Sequence, residues 1–276
     1  MERGTETSAG TASVGTAARG DAAARGDAAA HGDAAAHGGT AAREGTVTLG
    51  AAAVHAWLVD LDTPGAVDLA CLDAAERARA ASYLRAQDGA RFATSRAALR
   101  QVLTRYLGGE PGRLVIRSGP RGRPRLAGDG LRFSLTRSGG LALVAVALEP
   151  VGADLEQLQP RLGLADVAAA RFAGREAACI AAGCGGSSER SFYRHWTAKE
   201  AYLKATGLGL AGLRDTELVC GSSPAIWFAG RPGAGWSLSA AQVGPQHLAA
   251  IVGWHAVTSW HWLSPGRPAT PSPPAG

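Results

Sequence analysis

From Thr16 to Gly39 the chain repeats a six-residue unit, Ala-Ala-Ala-Arg-Gly-Asp, with His31 and His37 in the arginine position of the later copies. No solenoid with an apolar core has this period, and alanine buries too little surface to offset the entropy of ordering the chain. Residues 1–45 are therefore expected to be a disordered tail. The Arg-Gly-Asp triplets resemble an adhesion signal, but they lie in a low-complexity tract without a secretion signal, and repeat slippage accounts for them. At the other end, residues 264–276 read as a proline-rich disordered tail. What can fold is confined to residues 46–263, enough for a sizeable core.

Within residues 47–263, 23 Lys plus Arg stand against 17 Asp plus Glu, a net charge of +6. A basic body favours an anionic partner: nucleic acid, a phosphate-bearing cofactor or an acidic protein. The arginines are dispersed, with no zinc-finger, aromatic-glycine or helix-turn-helix signal beside them, so nucleic acid is not expected. No run approaches membrane-spanning length, so no membrane association is expected either. Cys71, Cys179, Cys184 and Cys220 are scattered, without a Cys-x-x-Cys pair. They read as small core residues in a reducing compartment, and the expected location is cytoplasmic.

The apolar run 51–59 reads as a first strand. Leu72 then leads into a helix, with Asp73 as N-cap and Glu76 in capping-box spacing. A second helix is expected over 90–107, ending at Gly108-Gly109, with Arg91, Arg96 and Arg100 loosely on one side. Segments 114–117 and 141–147 read as strands separated by an arginine- and glycine-rich loop. A similar order recurs after a strand end at 152–156. Helices follow near 164–172, 175–182 and 189–205, then strands near 217–220, 225–228, 236–241 and 248–254. The expectation is an α+β fold with two similar, pseudo-duplicated halves, residues 46–148 and 149–263.

Two short segments stand out chemically. In Asp154-Leu-Glu156 an extended backbone turns both carboxylates to one side and Leu155 into the core. Carboxylates this close raise each other's pKa unless a cation lies between them, and hard oxygen donors suit Mg²⁺. Taken alone, such a short motif also fits a solvated strand end. The second segment holds the chain's only lysines, Lys199 and Lys204, on either side of Glu200. Every other basic residue among the 28 is arginine, whose planar fork does not replace a compact ammonium against a phosphate. Glu200 and Lys204 are spaced i, i+4 and can pair, with Lys199 about 100° round the helix. Phe192, Tyr193, Trp196, Tyr202 and Leu203 make this helix apolar enough to be internal.

Val151-Gly-Ala-Asp-Leu-Glu156, followed by Phe192-Tyr-Arg-His-Trp-Thr-Ala-Lys-Glu-Ala-Tyr-Leu-Lys-Ala-Thr-Gly-Leu-Gly-Leu210, resembles the paired signature of the 4′-phosphopantetheinyl transferases. The resemblance is closest to the surfactin-synthetase-activating type, a single chain of two similar halves. Arg171-Phe172 and Glu176 stand where that family has its Arg-Phe-Phe…Glu helix, and the likeness spans about 72–210. It implies Mg²⁺-dependent transfer of phosphopantetheine from coenzyme A to a serine of a carrier protein, with release of 3′,5′-ADP. Under it, Asp154, Glu156 and Glu200 hold Mg²⁺. Glu200 takes the proton of the serine, directly or through a water, and Lys204 offsets charge on the phosphates beside a less defined Lys199. Gly122-Arg123-Pro124 occupies the family's Gly-Lys-Pro position, placing Arg123 near the nucleotide, and Arg79 and Arg91 fall at basic positions of the first two helices. One stretch departs. Where the family reads Phe-Asn-Leu-Ser-His-Ser-Gly-Gly, this chain has Phe133-Ser-Leu-Thr-Arg-Ser-Gly-Gly140. Thr136 keeps a hydroxyl, and Arg137 keeps a cation in reach of phosphate.

The rival reading is a catalytically impaired relative that binds carrier protein or coenzyme A without transfer, favoured by the altered stretch 133–138 and opposed by the intact Asp154, Glu156, Glu200 and Lys204. The implied partner is an acyl or peptidyl carrier protein with an acidic serine-bearing face, as in polyketide, nonribosomal peptide or fatty-acid synthesis. A monomer with its site between its halves is expected.

Overall fold

Val54, Ala56 and Leu58 alternate with Trp57 and Val59 in strand β1 (Val54–Asp60), and all five are buried, so the strand must be covered on both faces. The structure, a computed structural model, describes residues 46–119, 122–128, 130–161, 163–184, 186–219, 225–228, 231–232 and 235–263. Both expected tails and Cys220 lie outside the described residues.

Helix α1 (Ala74–Ala81) starts as its sequence predicts: Asp73 Oδ1 accepts the Glu76 N–H at 2.8 Å, and Glu76 Oε2 accepts the Asp73 N–H at 3.2 Å. Helix α2 (Ala86–Leu107) begins four residues before the expected start and stops at Gly108, whose φ of 70° suits glycine. Its arginines are structural. Arg96 and Arg100 both hold Glu76 at 2.7 Å, and Arg100, fully buried, also reaches Asp73 and the carbonyls of Pro111 and Leu114.

β2 (Ile116–Ser118) and β5 (Leu141–Ala147) answer the strands expected at 114–117 and 141–147, but the arginine- and glycine-rich stretch expected between them as a loop contains two more. β3 (Pro124–Leu126) pairs antiparallel with β2, and β4 (Arg132–Ser138) leads into β5. β4 escapes a reading by hydrophobic alternation because Ser134 and Thr136 are buried, so polarity does not mark its outer face. β6 (Val151–Gln157), α3 (Leu164–Arg171), α4 (Gly174–Ala181) and α5 (Ser188–Thr206) follow close to expectation. The chain continues through β7 (Thr216–Val219), β8 (Ala225–Phe228), β9 (Arg231–Pro232), β10 (Ser237–Val243) and β11 (His247–Gly253). It then adds β12 (Val257–Trp262), which has no apolar run to announce it and runs parallel to β1.

Two sheets, ordered β12-β1-β5-β4 and β10-β11-β6, pack face to face. Val54, Ala56, Leu58, Leu143 and Ala145 of the first meet Ala153, Leu155, Ala249 and Ile251 of the second. The alternate residues face outward onto helices. Trp57, Val144 and Val146 lie under Leu99, Val102 and Leu103 of α2, while Leu248, Ala250 and Val252 lie under Phe192, Tyr202 and Leu203 of α5. The result is the expected α+β class in four layers, helix–sheet–sheet–helix. Where the sheets meet, β4 runs beside β6 in the same direction. Ser134 Oγ accepts the Ala153 N–H and Ser138 Oγ accepts the Gln157 N–H, both at 3.0 Å.

Among the described cysteines only Cys71 is buried; Cys179 is half-buried and Cys184 exposed, so the expectation of core cysteines holds for the first alone. No helix among the described residues is long and apolar enough to cross a membrane.

Candidate active site

Gly152 sets how closely β6 lies against α5. A Cβ at that position would collide with the carbonyl oxygen of Ala201 and the main-chain nitrogen of Ala205. Asp154 and Glu156 follow at alternate positions on the same side of the strand, while Ala153 and Leu155 enter the inter-sheet core. The strand thereby carries both carboxylates to the helix turn that holds Glu200 and Lys204.

The Lys204 ammonium donates to Asp154 Oδ1 at 2.5 Å, and the Thr136 hydroxyl donates to the same oxygen at 3.2 Å. Lys204 thus pairs with the strand carboxylate and not with Glu200, its expected partner one helical turn away. The close strand offers a buried carboxylate, which is a stronger partner than a half-exposed one. Asp154 Oδ2 is buried and has no hydrogen-bond partner. Glu156 Oε2 accepts from Ser138 Oγ at 2.9 Å. All three carboxyls are held above their ordinary pKa: Asp154 by burial against the pull of Lys204, Glu156 by burial and then the Asp154 charge, and Glu200 by burial against the pull of Lys204, with both strand carboxylates adding to the rise. They feel one another electrostatically. Even so, no three His, Cys, Asp or Glu side chains among the described residues are already drawn together as a metal cage. The trio expected from sequence, Asp154, Glu156 and Glu200, forms a neighbourhood of carboxylates in which Asp154 is paired with Lys204.

The other expected site residues divide into two groups. Arg137 donates to the Tyr83 hydroxyl at 2.6 Å and lies over the rings of Tyr83 and Phe92, and Arg79 also lies over the Tyr83 ring, 5.2 Å from its centre. Arg91 grips Asp62 through two hydrogen bonds of 2.7 and 2.6 Å. Arg123, half-buried, and Lys199, fully buried, bond to the protein itself. The Arg123 guanidinium donates to the carbonyls of Phe133 and Val151 at 3.3 and 2.8 Å and to that of Lys204. Lys199 has no exposed surface: its ammonium sits 2.5 Å from Glu176 Oε2 and 4.3 Å from the centre of the Phe172 ring. The arrangement does not present Lys199 to a ligand, while half-buried Arg123 spends three of its five N–H donors on these carbonyls.

Residues 150–252 match the family described as the 4′-phosphopantetheinyl transferase superfamily. The chain is also 39% identical over 180 residues to the 4′-phosphopantetheinyl transferase HetI of Nostoc, an alignment covering 62% of this chain and 76% of that protein. The chain belongs to the 4′-phosphopantetheinyl transferase superfamily. A second relative, the 4′-phosphopantetheinyl transferase of Bacillus subtilis, is 25% identical over 144 residues, covering 52% of this transferase and 63% of its own length.

The donor set of the transferase fits a hard divalent cation. Asp154, Glu156 and Glu200 supply only oxygens, and the partnerless buried Oδ2 of Asp154 is an acceptor that the fold leaves unsatisfied. Ser138 was not among the residues singled out for the site. The signal that finds it is alternation: once 132–138 is read as a strand, Ser134, Thr136 and Ser138 share one side, and that side meets β6.

Proposed function

We propose that this transferase moves 4′-phosphopantetheine from coenzyme A to a serine of an acyl or peptidyl carrier protein, with Mg²⁺ held by Asp154, Glu156 and Glu200. The observation that carries the reading is the unsatisfied Oδ2 of Asp154 beside the Lys204 ion pair, within the segment that matches the superfamily. When bound, Mg²⁺ would neutralise charge on the donor's pyrophosphate. The rest falls to the protein. Glu200, whose proton affinity is raised by burial, is suited to take the proton of the serine hydroxyl as the serine Oγ–phosphorus bond forms. Lys204 balances charge on the phosphates as the pyrophosphate P–O bond breaks and 3′,5′-ADP leaves. The reading includes the surfactin-synthetase-activating subclass, with halves 46–148 and 149–263 in a cytoplasmic monomer; β12 would then return from the second half to the first sheet. The basic body complements an acidic carrier face.

A second reading, binding without transfer, draws on Arg137, whose guanidinium is engaged with Tyr83 where the family has histidine. Mass spectrometry of an apo carrier protein with coenzyme A and Mg²⁺ separates the two. Wild type is expected to add one phosphopantetheine, and Glu200→Gln to react about 100-fold more slowly or worse. Coenzyme A binding without any mass gain on several carriers would favour the second reading. Undiminished transfer by the variant would remove Glu200 from its role.

A further inference from the structure

We propose that Ser138 is a positioning residue of the acidic site: its hydroxyl fixes the orientation of the Glu156 carboxylate against the main chain of β6. The inference rests on the reading of Glu156 as a cation ligand given above.

The geometry is specific. Ser138 Oγ donates to Glu156 Oε2 at 2.9 Å and accepts the Gln157 N–H at 3.0 Å, so its donor and one acceptor site are committed to consecutive residues of β6. The hydroxyl cannot rotate away without leaving the Gln157 N–H without this acceptor. Its main chain is engaged as well: the Ser138 carbonyl lies 3.3 Å from His247 Nε2 on β11, which pairs directly with Gln157. Ser138 is the hydrogen-bond partner that Glu156 has among the described residues. Asp154, by contrast, is held by both Lys204 and Thr136. Glutamate has three rotatable side-chain bonds, so anchoring one oxygen narrows the directions in which its other oxygen can point. Partners of this kind, which bind a ligand carboxylate and not the metal, typically govern metal affinity by 10–100-fold.

The test reads metal binding apart from turnover. Mn²⁺ alone is titrated into the full-length protein and followed by electron paramagnetic resonance, for wild type, Ser138→Ala and Ser138→Thr, with circular dichroism confirming the fold of each. Ser138→Ala is expected to weaken Mn²⁺ binding about tenfold, and Ser138→Thr, which keeps the hydroxyl, to recover most of that loss. In carrier modification the alanine variant should lower kcat and leave the KM for the carrier unchanged. Equal Mn²⁺ affinity and equal kcat for wild type and Ser138→Ala would overturn the proposal, as would a threonine variant no better than alanine. If the alanine variant does not fold, Ser138→Cys, a weaker donor of similar size, replaces it; an affinity loss of about threefold is expected, and no loss overturns the proposal. Wild type that binds Mn²⁺ but transfers nothing would sink the reading of the reaction and leave the Ser138 comparison standing. Wild type that binds no Mn²⁺ would sink both.

Discussion

Lys199 and Lys204 lie five positions apart in a chain that otherwise uses arginine, and the structure gives each a separate reason to be lysine. Lys204 is partly exposed and reaches across to Asp154, where a compact ammonium fits between strand and helix. Lys199 is sealed, and burial pulls its pKa down against the opposing pull of Glu176. Glu176 is the hub of that buried site, for it also accepts the main-chain N–H groups of Ala173 and Leu218. Removing the ammonium strands a buried carboxylate, so Lys199→Ala should cost about 3–5 kcal/mol in denaturant unfolding. Lys199→Arg keeps the charge but must force a larger head into a closed space, at about 1–3 kcal/mol. An alanine variant within about 1 kcal/mol of wild type would show the pair to be energetically idle. The peculiarity of the two lysines was legible in the sequence, but their division of labour was not. Which side of a helix is sealed depends on what packs there, and Glu176 lies 23 residues away in another helix.

At the scale of elements, the strand–helix approach at Gly152 and the terminal pairing of β1 with β12 carry the predictions. Gly152→Ala has to push β6 from α5, because its Cβ meets main-chain atoms that cannot rotate away. The expected result is a stability loss of about 1–3 kcal/mol together with weakened Mn²⁺ binding, since the same approach brings Asp154 to Lys204. A variant as stable as wild type would mean that the helix shifts freely. At the other end of the molecule, His55 on β1 and His261 on β12 lie 5.6 Å apart, with Trp57 stacked on His261 and Arg105 over Trp57. The Tyr106 hydroxyl accepts from Trp57 at 2.6 Å, which leaves it to donate to His55 Nδ1 at 3.0 Å. Burial and then His261 hold His55 below its ordinary 6.5; burial and then Arg105 do the same for His261; Tyr106 is pushed up to about 12 and stays neutral. Folding therefore favours the neutral imidazoles. Their contribution to stability is full above pH 6.5 and is lost as pH falls through 6.5 towards the lower folded values. Buried His195 and His247 act in the same direction. Thermal unfolding from pH 8 to 5 should show the loss, and His55→Gln with His261→Gln should remove part of it; an unchanged profile would acquit the pair. Sequence periodicity located β1 but not β12, because Val-Thr-Ser-Trp-His-Trp is half-exposed and is held by its partner strand more than by its own apolar pattern.

For the whole molecule, the question is what keeps the two sheets in register at the edge where the site forms, and Arg123 joins Ser134 and Ser138 in doing so. Its guanidinium joins the Phe133 carbonyl of the first sheet, the Val151 carbonyl of the second and the Lys204 carbonyl near the end of α5. The Gly-Arg-Pro motif drew attention to this residue as a nucleotide contact, since sequence alone shows a cation near glycine and cannot show three carbonyls converging on it. Burial, and then the neighbouring Arg125, lower its pKa, as expected for a charge withdrawn from water and held by dipoles rather than by a carboxylate. A planar fork can serve three diverging acceptors, whereas an ammonium on a shorter reach cannot keep all of them. Arg123→Lys is therefore expected to lower unfolding stability by about 1–3 kcal/mol for the acceptor it abandons, and Arg123→Ala by more. A residue whose role was to grip coenzyme A would behave differently, raising the KM for coenzyme A while leaving the unfolding midpoint in place. Measuring both quantities on Arg123→Lys decides between a staple across the sheets and a contact to the nucleotide: a midpoint shift with KM little changed is the expected result, and the reverse pattern would return Arg123 to the cofactor.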